Sequence, residues 1–229
     1  MRIYAIADLH LSLTSEKPMD VFGEAWRGHA EKIERNWRAA VGEDDLVLIP
    51  GDISWAMQLS AALPDLSFIG RLPGKKVLLK GNHDYWWSAI GRVRASLPEG
   101  MRAIQNDALV ENGVGVCGSR GWLCPGSANF SAEDQKIYLR ELDRLSLSLG
   151  ALKALETQTK IAMLHFPPFC DRERASGFTE RLEQSGVNIV VYGHLHGEAN
   201  KYAFEGEKNG ILYYCVAADK LDFMPKRIL

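Results

Sequence analysis

Apolar residues along the chain fall into short, unbroken runs at residues 3–7, 46–49, 77–79, 114–117, 161–164 and 189–192, most of them bounded by glycine or proline. Runs of this length without polar alternation predict strands buried on both faces. Between them the spacing changes to three and four residues. Phe22, Trp26, His29, Ile33, Trp37 and Ala40 form one apolar stripe, which predicts an amphipathic helix. A second helix is expected to start at Ser131, capped with the help of Asp134, and to continue through Tyr138, Leu142, Leu145, Leu149 and Leu152. Alternating strands and helices imply βαβ units and a largely parallel sheet in the first half. In the second half, residues 202–204 and 211–216, separated by the polar stretch 205–210, predict a closing antiparallel hairpin and hence a mixed or double sheet. With no repeat, low-complexity tract or linker in view, the expectation is a single α/β domain over residues 1–229.

Composition narrows the class without choosing a function. The chain is 46% hydrophobic and 24% charged with a formal charge of -2, as expected of an ordinary folded protein and not of a dedicated nucleic-acid or anionic-membrane binder. The basic group Arg92, Arg94 and Arg102 reads as a solvated helix face. Cys117, Cys124, Cys170 and Cys215 show no Cys-x-x-Cys spacing, which fits neither a thiolate zinc site nor a disulfide framework. A first strand beginning at Arg2 leaves no room ahead of Asp8 for a signal peptide, and no apolar run reaches membrane-spanning length. A reduced, cytoplasmic setting is the expectation; the sequence does not specify the oligomeric state.

Chemistry enters where the predicted strands end. Asp8-Leu9-His10, Gly51-Asp52, Gly81-Asn82-His83-Asp84, His165 and Gly193-His194-Leu195-His196 each follow an apolar run directly. The carboxyl ends of strands line the ligand crevice of an open α/β sheet, so groups distant in sequence should converge there. Alternate residues such as Asp8 and His10 can point to one side of an extended segment. Imidazole, carboxylate and carboxamide together suit borderline divalent ions such as Mn, Fe, Zn or Co. Seven candidate ligands, Asp8, His10, Asp52, Asn82, His165, His194 and His196, exceed what one catalytic zinc takes. Two ions about 3.5–4 Å apart accommodate them. Such a site stays net positive after its two aspartates are counted, which favours phosphoryl oxygens.

These blocks, Asp-x-His, Gly-Asp, Gly-Asn-His-Asp, His and Gly-His-x-His, occur in one order from residue 8 to residue 196 and resemble the calcineurin-like metallophosphoesterases. The resemblance implies a four-layer sandwich of two mixed β-sheets flanked by helices. It further implies that Asp8, His10 and His196 hold one ion, that Asn82, His165 and His194 hold the other, and that Asp52 bridges them. The implied activity is hydrolysis of a phosphomonoester or phosphodiester by metal-activated hydroxide, with two divalent ions, Mn, Fe or Zn, as cofactors. A small-molecule phosphoester is the expected substrate. His83 is the candidate proton donor to the leaving oxygen, with Asp84 orienting its ring.

Around this set stand residues with weaker claims. Arg120, in Gly118-Ser119-Arg120-Gly121-Trp122, is a candidate phosphate clamp or an ordinary surface arginine. Trp86, with Tyr85, Trp87, Trp122, Phe130 and Phe169, could contact substrate or pack the loops. His29, on the helix stripe, reads as a packed residue. Three alternatives stay open: a nuclease, disfavoured by the lack of a basic stripe, a phosphoserine phosphatase, and a non-catalytic scaffold of the same fold.

Overall fold

In the computed structural model, which describes every residue except 15–16, 128–129 and 171–174, the apolar runs become strands whose alternate side chains enter two different cores. The first sheet contains β1 (Ile3–Ala5), β2 (Leu46–Pro50), β3 (Lys75–Leu79) and β4 (Met101–Ala103), all parallel. The second contains β5 (Leu109–Glu111), β6 (Val114–Ser119), β7 (Thr159–Leu164), β8 (Ile189–Tyr192), β9 (Gly206–Lys208) and β10 (Ile211–Cys215). A last short strand, β11 (Lys226–Arg227), returns antiparallel to β1 and closes the first sheet in the order β11-β1-β2-β3-β4. The second sheet runs β5-β6-β7-β8-β10-β9, parallel at its centre and antiparallel at both edges.

Ile3, Ala5, Leu46, Leu48 and Val77 face the second sheet and meet Val116, Ile161, Met163 and Val191 from it. Their sequence neighbours Tyr4, Ile6, Val47, Ile49 and Leu78 face outward, under α1 (His29–Ala40), α2 (Leu59–Gly70) and α3 (Ile90–Ser96). On the other side α4 (Ala132–Lys153) and α5 (Gly177–Gln184) cover Cys117, Ala162, Leu164, Val190 and Tyr192. Two mixed sheets flanked by helices thus form an α/β sandwich, and burial on both faces is why the strands carry no polar alternation. The expected capping box opens α4, with Ser131 Oγ accepting from the Asp134 N–H at 3.1 Å and the Asp134 carboxylate accepting from the Ser131 N–H at 2.9 Å. No helix among the described residues is long and apolar enough to cross a membrane.

Two expectations are corrected. The helix stripe does not reach Phe22 and Trp26. Those residues lie in short 3-10 turns, Met19–Phe22 and Glu24–Trp26, and α1 begins only after Gly28, whose φ of 61° breaks the path. In the closing hairpin the first strand is β9, while Tyr202 ends a 3-10 turn, Gly197–Tyr202. The second strand, β10, pairs parallel with β8 as well as antiparallel with β9.

Candidate active site

Beyond the ends of β1 and β2 the two chains stay side by side. The N–H groups of Asp8, His10 and Leu11 donate to the carbonyls of Gly51, Asp52 and Ile53 at 2.9, 3.0 and 3.0 Å. That pairing holds Asp8, His10 and Asp52 beside one another. Across the sandwich the Gly193 N–H donates to the His165 carbonyl at 3.1 Å, which aligns the ends of β7 and β8. Gly81 and Gly193 are required by close approach: a Cβ on Gly81 would collide with the Asp52 carboxylate and backbone, and one on Gly193 with the Asp8 carboxylate.

Each aspartate is divided in its duties. Asp8 Oδ2 accepts from the His194 N–H at 2.9 Å, and its Oδ1 is buried with no hydrogen-bond partner. Asp52 Oδ1 accepts from the His83 N–H at 2.8 Å, while its Oδ2 stands 3.4 Å from His165 Nε2, 3.8 Å from His10 Nε2 and 4.0 Å from His83 Nε2. His165 Nδ1 meets the Pro50 carbonyl at 3.1 Å, so this nitrogen carries the ring proton. Its Nε2 lies 2.6 Å from Asn82 Oδ1, an oxygen that His194 Nδ1 also approaches at 3.1 Å. His196 Nε2 is 3.5 Å from Asp8 Oδ1.

Two sets of ligating atoms, from Asp8, His10 and His196 and from Asp8, Asp52 and His165, each lie within 4.8 Å of one another. Polar atoms converge there without hydrogen-bond partners: Asp8 Oδ1, His10 Nδ1 and His196 Nε2 are buried and unpartnered. A buried polar atom with no partner is costly, and divalent cations would satisfy all of these at once. The electrostatics agree. Burial pulls the His165 imidazole pKa down, yet Asp52 and Asp8 outweigh it and raise it to about 9. At His196 burial is likewise outweighed, by Asp219 and Asp8, and the pKa rises to about 10. Burial dominates at His10 and His194, lowering them to about 4 and about 3. The pocket therefore favours positive charge beside its aspartates and keeps its other imidazoles neutral, the form that binds a metal.

Backbone strain marks the same residues. Asp8, His10, Asp52 and His194 adopt φ of 60, 45, 52 and 72°, a region that L-residues other than glycine rarely enter. One carboxylate that the sequence reading missed supports the cluster. Asp219, beyond the end of β10, accepts from the Gly197 N–H at 2.8 Å and from Asn200 Nδ2 at 3.0 Å, and faces His196 Nδ1 at 2.9 Å. It fixes the ring so that Nε2 points at Asp8.

The remaining candidates separate. His83 lies at the rim, its side chain 36% exposed. With His10 and His196 it lines a cavity of about 350 Å³ whose other walls are Met19, Phe22, Trp26, Trp55 and Gly197. Asp84 does not orient the His83 ring, contrary to expectation. Its carboxylate is wholly buried and accepts from the N–H groups of Asp52, Ile53, Ser54 and Gly81 and from Trp86 Nε1, at 2.9, 2.9, 3.2, 2.8 and 2.9 Å, whereas His83 Nδ1 has no partner. Trp86 is accordingly a core residue and cannot touch substrate. Arg120 leans over the Trp122 ring, with Nη2 3.3 Å from Glu141, and lines a separate cavity with Lys80, Arg140 and Arg144. Its guanidinium is not among the groups gathered around Asp8 and Asp52. Phe169 packs on Phe204 and Tyr213. His29, half-buried, meets the His10 carbonyl at 3.2 Å and packs on Trp26, as a structural residue should.

A sandwich whose strand ends gather aspartate, histidine and asparagine in this way defines a metal-dependent phosphoesterase architecture. The family model for calcineurin-like phosphoesterases matches residues 1–198, and the chain belongs to that family. Curated proteins yield no match. Among solved structures, the fold is similar to the phosphopantetheinyl hydrolase PptH from Mycobacterium tuberculosis, with a TM-score of 0.58 and 18% identity over 94% of this chain and 88% of that one. TT1561 of Thermus thermophilus matches with a TM-score of 0.58 at 13% identity, covering 96% and 90%. The protein of unknown function AQ665 from Aquifex aeolicus matches with a TM-score of 0.52 at 15% identity, covering 98% and 94%.

Proposed function

We propose that the chain acts as one domain over residues 1–229 and hydrolyses a phosphomonoester or phosphodiester of a small molecule at a dinuclear site, with Mn, Fe or Zn as the ions. The observation that carries this reading is the division of Asp8 and Asp52, each tied through one oxygen to a backbone N–H and presenting the other to imidazole nitrogens. Asp8, His10 and His196 would hold one ion and Asn82, His165 and His194 the other, with Asp52 Oδ2 between the two groups. When bound, the ions supply Lewis-acid charge that draws phosphoryl oxygens and makes a water more acidic.

The chain's own residues then have separate tasks. Asp219 holds His196 in its tautomer, and the Pro50 carbonyl does the same for His165. Asp84 fixes the loops that carry Asp52 and Asn82. His83 stands where an ester oxygen leaving the cluster would enter the cavity, and donates a proton to it. Burial lowers its pKa despite Asp52, so it takes up that proton when the negative charge of the phosphate is beside it.

Metal analysis of the purified chain, coupled to a panel of phosphomonoesters, phosphodiesters and pyrophosphates with Mn and other divalent ions, tests the proposal. Up to two ions per chain and ion-dependent hydrolysis of an ester are expected. A chain that binds no divalent ion, or that binds ions and cleaves no phosphoester, overturns it.

A further inference from the structure

The cavity beside His83 has an unusual lining for a site that receives an anion. Met19, Phe22, Trp26 and Trp55 form its walls with His10, His83, His196 and Gly197, and none of these residues is a lysine, arginine or carboxylate. Trp55 stacks on His10 with ring centroids 4.8 Å apart and planes 21° apart, and its ring lies 4.6 Å from that of His83. Its indole N–H points at Met19 Sδ, 3.1 Å away. Trp26 meets His10 and His196 edge-on at 5.8 and 5.6 Å. Phe22 completes the wall with 67% of its surface exposed. Core packing does not account for that exposure, because the turn Met19–Phe22 carries the ring away from the α1 stripe its spacing had suggested.

If His83 delivers the proton to the leaving oxygen, the group attached to that oxygen lies in the cavity His83 lines. Lys17 Nζ stands 5.1 Å from the Trp55 ring, but the walls themselves offer a polyol or charged leaving group few partners to replace the hydrogen bonds to water that it would give up. An aromatic ring would find faces and edges at stacking distance, in a volume at the small end of ligand pockets. We infer that the substrate carries an aromatic ring on the leaving-group side of its phosphoester, and that this ring enters the Met19–Phe22–Trp26–Trp55 cavity. The inference rests on the proposed function and deepens it by naming a substrate class.

The test uses the full-length Mn-loaded chain and phosphate monoesters of alcohols of similar acidity, ethyl, phenethyl and octyl phosphate, so that leaving-group reactivity does not imitate recognition. Phenethyl phosphate should exceed ethyl phosphate in kcat/KM by about tenfold or more, as burial of a ring allows. In Phe22→Ala that ratio should fall by about fivefold; the exposed position makes misfolding no obstacle. A second readout needs no turnover: in saturation-transfer NMR on the metal-free chain, the ring protons of phenethyl alcohol should receive saturation, and less of it in Phe22→Ala. Hydrolysis with a phenethyl-to-ethyl ratio within about twofold of unity, a ratio unchanged in Phe22→Ala, or no saturation transfer overturns the inference alone. Octyl phosphate turned over as well as phenethyl phosphate also overturns it, in favour of an acyl occupant. Failure to hydrolyse any of these monoesters or the corresponding phosphodiesters, with ring contacts still seen by NMR, overturns the proposed function instead.

Discussion

Replacing Asp84 by asparagine separates two roles for that residue. In the structure its Oδ2 accepts from the N–H groups of Asp52 and Gly81, and its Oδ1 from those of Ile53, Ser54 and the Trp86 indole. An amide keeps one acceptor oxygen, so Asp84→Asn loses at least the two bonds on one side and sets an NH2 against N–H donors. At about 1.5–3 kcal/mol for each hydrogen bond to a charged group, the loss is roughly 3–6 kcal/mol, reduced somewhat because a buried charge is removed as well. A chain of this length shifts its melting temperature by roughly 2–4 °C per kcal/mol, so the low end of that loss predicts a drop of about 6 °C before the reduction and about 4 °C after it. Thermal unfolding followed by circular dichroism in excess chelator isolates this effect from metal binding. Asp52 and Asn82 ride on the loops that Asp84 ties, so metal affinity should fall in the same variant. A melting temperature within about 2 °C of wild type would refute the structural role. Had Asp84 served to orient His83, the defect would instead be confined to turnover of esters with poor leaving groups.

His83→Ala should lower turnover of esters with poor leaving groups by about 10²–10⁴-fold while metal content, measured by elemental analysis, stays intact; loss of both ions would rule out the proton-donor role. Asp219→Asn should weaken metal binding by about 10–100-fold, read by chelator competition, because His196 loses the carboxylate that holds its ring. Far from the site, burial of Asp45 is outweighed by the N–H groups of Arg2 and Gly42 and by the Arg2 guanidinium, which hold its pKa below the ordinary 3.8. A depressed folded-state pKa stabilises above the unfolded value and ceases to do so as pH falls through the folded one. The stability gap between wild type and Asp45→Asn in urea unfolding should therefore be full at neutral pH and narrow below pH 3.8; a gap independent of pH would contradict the assignment.

How far the site was legible depended on where each residue stands relative to an apolar run. Asp8, Asp52, Asn82, His165 and His194 each follow the end of a buried strand within three residues, so the strand-end rule alone gathered them. The same rule reaches Asp219 beyond β10, but no histidine or glycine accompanies it to draw the eye. Trp86 and Phe22 exchanged places for a physical reason. Both are apolar residues near functional blocks, and only tertiary packing sends Trp86 under the Asp84 loop and leaves Phe22 on the cavity wall. Short elements were equally opaque: β4, β5 and β11 hold three, three and two residues, too few for a period to register, and α2 carries Pro64 in its interior.

What no residue pattern discloses is the conformational cost of the arrangement. Left-handed φ at a non-glycine residue costs of order 1–3 kcal/mol, and Asp8, His10, Asp52 and His194 all adopt it. Glycine at any of these four positions would relieve the strain and remove a ligating side chain with it. The fold resolves that conflict by giving the permissive residue to the partner. Gly81 makes room for Asp52, and Gly193 makes room for Asp8. Strain at the carboxylates and space at the facing glycines are thus one design distributed over four strand ends, and it holds Asp8 Oδ1 and Asp52 Oδ2 in place before any ligand arrives.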